Sequence, residues 1–258
     1  MSRATTRFHL GVSIHMKNSP SIGAIKLVCF ACLLLMTAAT AVAAGPTKRV
    51  SVINAGIGSQ NSLQGRERFV RDVVAVHPKY VLIYFGMNDT SNEPRFLSQE
   101  QFIGNIKWMV RTARRNRIVP ILSTIQHVDV ERLMKRHRAS SFGAEGPNGK
   151  IDRYNSALRT LALKKKIALL DFTKVLDDAG GPTIAISTDD VHLTADGYRL
   201  LASSFLHAIP GPILPGDVIV CIGDSLTYGT PLRTEDQESN QTYPAQLERM
   251  ANDTLAGH

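Results

Sequence analysis

Five short apolar runs punctuate the chain at residues 50–53, 80–85, 118–122, 167–170 and 217–222, each rich in Val, Ile and Leu. Their apolar character is continuous rather than alternating, which predicts strands buried on both faces, as in a parallel sheet. Helical periodicity lies between them. Over residues 99–115, Phe102, Ile106, Met109, Val110 and Ala113 fall on one face and the basic residues elsewhere. Ile151, Tyr154, Leu158 and Leu161 repeat the pattern before Lys164, Lys165 and Lys166, charges that a helix C-terminus favours. Thr194 followed by Asp196 predicts a helix start, with Tyr198, Leu201, Ala202 and Phe205 as its buried stripe and a stop before Pro210. Strand alternating with helix predicts a three-layer α/β/α sandwich around a central, mostly parallel five-stranded sheet. Gly211-Pro212 and Pro215-Gly216 form a tight connector into the last strand, and the polar segment 135–150, with its three glycines, is expected to be a surface loop over one edge.

The first 44 residues do not belong to this pattern. From Met16 the chain runs through Lys17 and Lys26, an apolar stretch over 27–36, and small residues ending Ala41-Val42-Ala43-Ala44. A positive start, a short apolar core and an A-x-A exit are the marks of an export signal, with cleavage expected after Ala43 or Ala44. The apolar run is short for a bilayer span, so the alternative of an uncleaved anchor is the weaker one. Residues 1–15 read as an upstream extension in which Met16 is the true start. Removing the signal leaves 214 residues of the 258, the size of one domain, expected over 45–258.

Composition changes the picture only modestly. Without the signal, 26 basic residues face 22 acidic ones, too mild an excess to point to nucleic acid, although Arg111, Arg114, Arg115 and Arg117 cluster. Cys29 and Cys32 leave with the signal, so their C-x-x-C spacing carries no redox or metal chemistry. Cys221, alone inside an apolar run, reads as a small buried hydrophobe.

Four clusters can carry chemistry. In Gly223-Asp224-Ser225-Leu226 an apolar strand runs into a small-residue turn bearing a serine, which exposes a hydroxyl at the carboxyl edge of a parallel sheet. A hydroxyl is a poor nucleophile at neutral pH and needs a base in reach, and the base needs an acceptor that fixes its tautomer. The D-x-x-H turn from Asp189 to His192 supplies both. Glycine-rich residues 54–62, with Gly58 and Ser59, and the run Gly86-Met87-Asn88-Asp89 offer backbone N–H groups and an amide for a developing oxyanion. Each cluster alone also reads as an ordinary turn or cap.

Together these clusters resemble the four blocks of the SGNH (GDSL) hydrolase family, and the resemblance spans the chain beyond the signal. It implies a flavodoxin-like SGNH fold with Ser225 as nucleophile, His192 as general base and then acid, and Asp189 as the orienting carboxylate. It further implies an oxyanion hole from the N–H of Ser225, the side-chain amide of Asn88 and a glycine-block N–H, at Gly58 or Ser59. No metal or organic cofactor is implied. If the turn at Ser59 needs a positive φ, a serine there is strained.

The order of the blocks departs from the family, whose nucleophile block comes first. Here it comes last, followed by the helix opening at Thr242-Tyr243-Pro244, so the sequence reads as circularly permuted, with residues 210–216 joining the former ends. The expected function is hydrolysis of a small-molecule, lipid or sugar carboxylic ester by a secreted or periplasmic enzyme, with small or medium acyl groups favoured. The alternatives are acyl transfer to or from an envelope polysaccharide, including its deacetylation, and a non-catalytic permuted relic. No nucleic-acid partner and no stable membrane span after signal cleavage are expected.

Overall fold

The computed structural model describes residues 48–257, and the export signal expected over residues 1–44 lies outside them. The elements are, in order, β1 (Ser51–Gly56), α1 (Ser62–Asp72), β2 (Tyr80–Tyr84), α2 (Met87–Ser91), α3 (Gln99–Arg115), β3 (Val119–Ser123), α4 (Val130–Met134), α5 (Gly146–Lys165), β4 (Ala168–Leu170), α6 (Phe172–Asp178), α7 (Ala195–Ala208), β5 (Val218–Gly223), α8 (Ser225–Tyr228) and α9 (Tyr243–Ala256). The five apolar runs are the five strands. They form one parallel sheet in the order β1-β5-β2-β3-β4. Burial on both faces is why they read as unbroken apolar runs, and Val81, Leu82, Ile121, Ile219, Val220, Cys221 and Ile222 have no exposed surface.

Handedness distributes the helices. The crossovers through α1, α3 and α5 each step in the same direction along the sheet, and right-handed connections therefore place these helices in one layer, where α1 packs on α3 and α3 on α5. The connection from β4 through α7 to β5 steps back, which puts α7 in the opposite layer, where it packs against α9. Helix starts follow the expected chemistry: Ser98, Thr194 and Thr242 each cap a helix with a side-chain oxygen.

The segment 135–150 differs from its expected loop. After α4 it winds through short 3-10 turns at Ala139–Ser141 and Gly143–Glu145, and α5 begins at Gly146, ahead of its apolar stripe. Two features that composition hides are responsible. Pro147 occupies the first turn of α5, where a missing N–H costs nothing. Phe142 packs edge-on against Phe96, and the Lys150 ammonium sits 3.2 Å from the centre of the Phe96 ring.

The free edge of β1 is covered by α9. The Val50 N–H donates to Asn252 Oδ1 at 2.9 Å, Asn252 Nδ2 donates to the Val50 carbonyl at 3.0 Å, and the Val52 N–H donates to Glu248 Oε2 at 2.8 Å. The last helix thus closes on the first strand. Replacing Asn252 by Ala strands both polar groups of buried Val50, and urea denaturation of Asn252→Ala is expected to register a loss of about 1–3 kcal/mol; an unchanged midpoint would mean that α9 does not hold the edge.

Candidate active site

The carboxyl ends of β1, β5 and β2 and the turn before α7 bring the four sequence clusters to one end of the sheet. Gly56 and Gly223 are register partners at the ends of β1 and β5. Neither has room for a side chain: a Cβ on Gly56 would lie 2.1 Å from the Tyr228 nitrogen, and one on Gly223 would lie 2.0 Å from Thr227 Oγ1. This close approach seats α8 on the strand ends and leaves Ser225, its first residue, at the edge of a cleft. Asp224 caps α8, accepting from the Leu226 N–H at 2.9 Å.

The D-x-x-H turn is closed by hydrogen bonds from the Thr188 N–H to the His192 carbonyl (2.8 Å) and from the Thr194 N–H to the Ile186 carbonyl (2.9 Å). Gln126 Nε2 holds it from beneath through the Val191 carbonyl at 3.1 Å. The result is a continuous line of contacts: Ser225 Oγ lies 3.0 Å from His192 Nε2, and His192 Nδ1 lies 2.8 Å from Asp189 Oδ2. The other oxygen of Asp189 accepts from the N–H groups of Val191 (2.7 Å) and His192 (2.8 Å). Burial alone would raise the Asp189 carboxyl, but these bonds outweigh it and hold the group well below the ordinary carboxylate range.

Gly58, Ser59 and Asn88 line the same cleft as Ser225 and His192. Ser59, at φ 58°, is the left-handed residue of the glycine-block turn, so the strain foreseen for a serine at this position is present, a cost on the order of 1 kcal/mol. The Asn88 amide is clamped: Nδ2 donates to the Gln60 carbonyl at 3.0 Å and to Asp224 Oδ2 at 3.3 Å, and Oδ1 accepts from Asn92 Nδ2 at 2.9 Å. Asp89 faces away from the cleft and binds the start of α1, accepting from Ser62 Oγ at 2.5 Å and from the Ser62 N–H at 3.1 Å. It ties the glycine block to the G-x-N-D block.

Two groups that the sequence did not single out complete the site. Arg68 is buried beneath it and donates to the Ala55 carbonyl (2.7 Å), the Gly223 carbonyl (2.8 Å), Gln60 Oε1 (2.6 Å) and Asp72 (2.9 Å). Its signal was present, since position 68 falls on the buried face of α1 with Gly65 and Phe69. Arg136 and His137, from the segment expected to be a loop, form one wall of the cleft, which encloses about 320 Å3. Arg136 pairs with Asp190 and His137 with Glu93. Among the described residues, no cluster of three or more His, Cys, Asp or Glu side chains is placed to hold a metal.

The sequence matches the GDSL-like Lipase/Acylhydrolase family over residues 36–200, and the chain belongs to that family. It is 32% identical over 172 residues to the uncharacterised lipoprotein YqeF of Bacillus subtilis, a match covering 59% of this chain and 70% of that protein. Among solved structures it is similar to a candidate acylhydrolase from Bacteroides fragilis (25% identity, TM-score 0.50, 63% of this chain and 86% of the other). A GDSL-like lipase from Bacteroides thetaiotaomicron shares the fold (22% identity, TM-score 0.51, 70% of this chain and 96% of the other).

Burial pushes Asp89 up to about 7 and Asp224 up to about 6, against the hydrogen bonds that favour their charged forms. Folding therefore favours protonated Asp89. Its contribution is complete below the ordinary carboxylate range and is lost as pH rises through about 7. Urea denaturation across that range is expected to show Asp89→Asn gaining on the parent with rising pH, by up to about 1.4 kcal/mol per pH unit. Parallel stability curves would mean that Asp89 is ionised throughout.

Proposed function

We propose that the protein is an exported serine ester hydrolase in which Ser225 attacks the ester carbonyl. The continuous contact from Asp189 through His192 to Ser225 carries this reading. In it, His192 Nε2 takes the Ser225 proton as the Oγ–carbon bond forms, then passes it to the departing alcohol as the tetrahedral species collapses to an acyl-enzyme. Water then bonds the acyl carbon as His192 accepts its proton, the acyl–Oγ bond breaks to release the carboxylic acid, and His192 returns the proton to Ser225 Oγ. Asp189 keeps the ring in the productive tautomer and stabilises the imidazolium.

The developing oxyanion meets three donors in this scheme. Ser225 begins a helix, so its N–H is one of the donors without an intrahelical partner. Ser59, the left-handed residue of its turn, supplies the second rather than Gly58, and Asn88 supplies the third by giving up its longer bond to Asp224. The cleft is small, about 320 Å3, and mixed in character, with Met87, Leu133 and Val191 beside Asn88, Asn92 and Arg136, so its size suits short acyl chains better than long ones. Residues 45–258 then form the single catalytic domain. Export rests on the N-terminal sequence, and the lipoprotein character of the Bacillus relative supports it.

The same reading includes circular permutation. The family match ends at residue 200, before Ser225, while β5 lies between β1 and β2 and α9 ends against the start of β1. A chain reordered to begin near Gly216, joined from the end of α9 to Lys48 and opened within residues 210–215 is expected to fold and to keep ester hydrolysis within about tenfold of the parent. An unfolded product would count against permutation.

Hydrolysis of p-nitrophenyl esters from acetate to palmitate tests the chemistry directly. Activity is expected to peak at the short chains, to fall roughly 10^4-fold or more in Ser225→Ala, and to fall about 10^2–10^3-fold in Asn88→Ala. A folded Ser225→Ala that matches the parent on every ester would remove the hydrolase reading.

A further inference from the structure

The end of the sheet opposite the cleft is strongly basic. All strands of a parallel sheet begin there, and the crossover helices α3 and α5 end there. Lys107, Arg111 and Arg115 on α3, Arg117 just after it, and Lys164 and Lys165 on α5 are exposed. Among the described residues none of these six forms an ion pair. Arg114 locks the two helix ends together, donating to the carbonyls of Lys165 (2.9 Å) and Lys166 (2.8 Å). Helix dipoles account for cations only in the last turn. Lys107 and Arg111 lie further back and are spaced four residues apart, where like charges repel, so the fold carries a cost here that its own stability does not explain.

Apolar surface adjoins this charge. A groove of about 820 Å3 runs along α3 and α5 from Gln99 and Glu100 at the start of α3 to Lys164 and Lys165 at the end of α5, with Ile103, Ala157 and Leu161 in its lining beside Lys107. Next to it Leu163 is 81% exposed, one of the two most exposed large hydrophobic side chains among the described residues. β1 also begins at this end, just after exposed Lys48 and Arg49.

We propose that this basic end rests on a lipid bilayer rich in anionic headgroups. Cations around an exposed leucine suit an interface in which charges meet headgroups and the apolar side chain enters the acyl boundary. The cleft then points away from the bilayer, separated from it by the length of the strands, about 20 Å for six residues. This inference does not depend on the ester-hydrolase reading.

The test is co-sedimentation of the full chain with vesicles of phosphatidylcholine, with and without phosphatidylglycerol. Binding is expected only with phosphatidylglycerol and is expected to weaken as salt is raised. Each charge removed should cost about fivefold, so the triple variant Arg111→Gln, Arg115→Gln, Lys164→Gln is expected to bind roughly a hundredfold more weakly, with a melting temperature no lower than the parent's. Leu163→Gln should weaken binding without altering its salt dependence. Equal binding to pure phosphatidylcholine would overturn the proposal, as would a triple variant that binds like the parent, since residues 27–36 would then be doing the holding. Retention on a heparin column without vesicle binding would overturn it in favour of a soluble polyanion.

Discussion

The backbone hydrogen bonds that seat β5 between β1 and β2 are the interaction on which the rest depends. β5 pairs with β1 along Ser51–Gly56 and with β2 along Tyr80–Tyr84, so it alone joins the edge strand to the body of the sheet. It is among the most deeply buried elements, and it hands the chain directly to Ser225. The serine therefore inherits the rigidity of the core, while its partners Asp189 and His192 sit on a short turn braced by Gln126 and by the start of α7. The catalytic geometry of the proposed mechanism is a by-product of sheet assembly at one point.

Behind the cleft, charge is sorted by environment. Asp224 and Asp89 are buried and drift upward, whereas Asp189 is half-exposed, accepts three hydrogen bonds and is held down. Three carboxyl groups near one serine thus take different protonation preferences, and the one beside His192 is the most acidic of them. Arg68 makes this arrangement tolerable. Its guanidinium bridges the Ala55 carbonyl near the end of β1 and the Gly223 carbonyl at the end of β5, and places a positive charge under Asp224.

Most of this was legible in the chain because burial on both faces leaves an unmistakable run, as at residues 217–222, and because α3 and α7 carry a full apolar stripe between a cap and a stop. The four site clusters could be read as well, since a strand-to-turn serine and a D-x-x-H pair demand specific residue types at fixed spacing. What escaped lacked periodicity or an obvious partner. α4 and α6 are too short to show a helical repeat, and residues 135–150 looked polar because Phe142 and Lys150 are buried through distant Phe96. Arg68 is buried although arginine is a surface residue in most folds, because carbonyls of two strands and Asp72 converge on it. The engagement of Asn88 by Gln60 and Asp224 depends on three loops meeting, which no local pattern records.

The late position of β5 also bears on incomplete chains. A polypeptide stopped before Val218 has an open slot between β1 and β2, lacks α9 over the edge of β1, and lacks Ser225. Fold and proposed chemistry are therefore set to fail together: a chain truncated there is expected to stay unfolded and open to proteolysis rather than persist as a well-packed inert fragment.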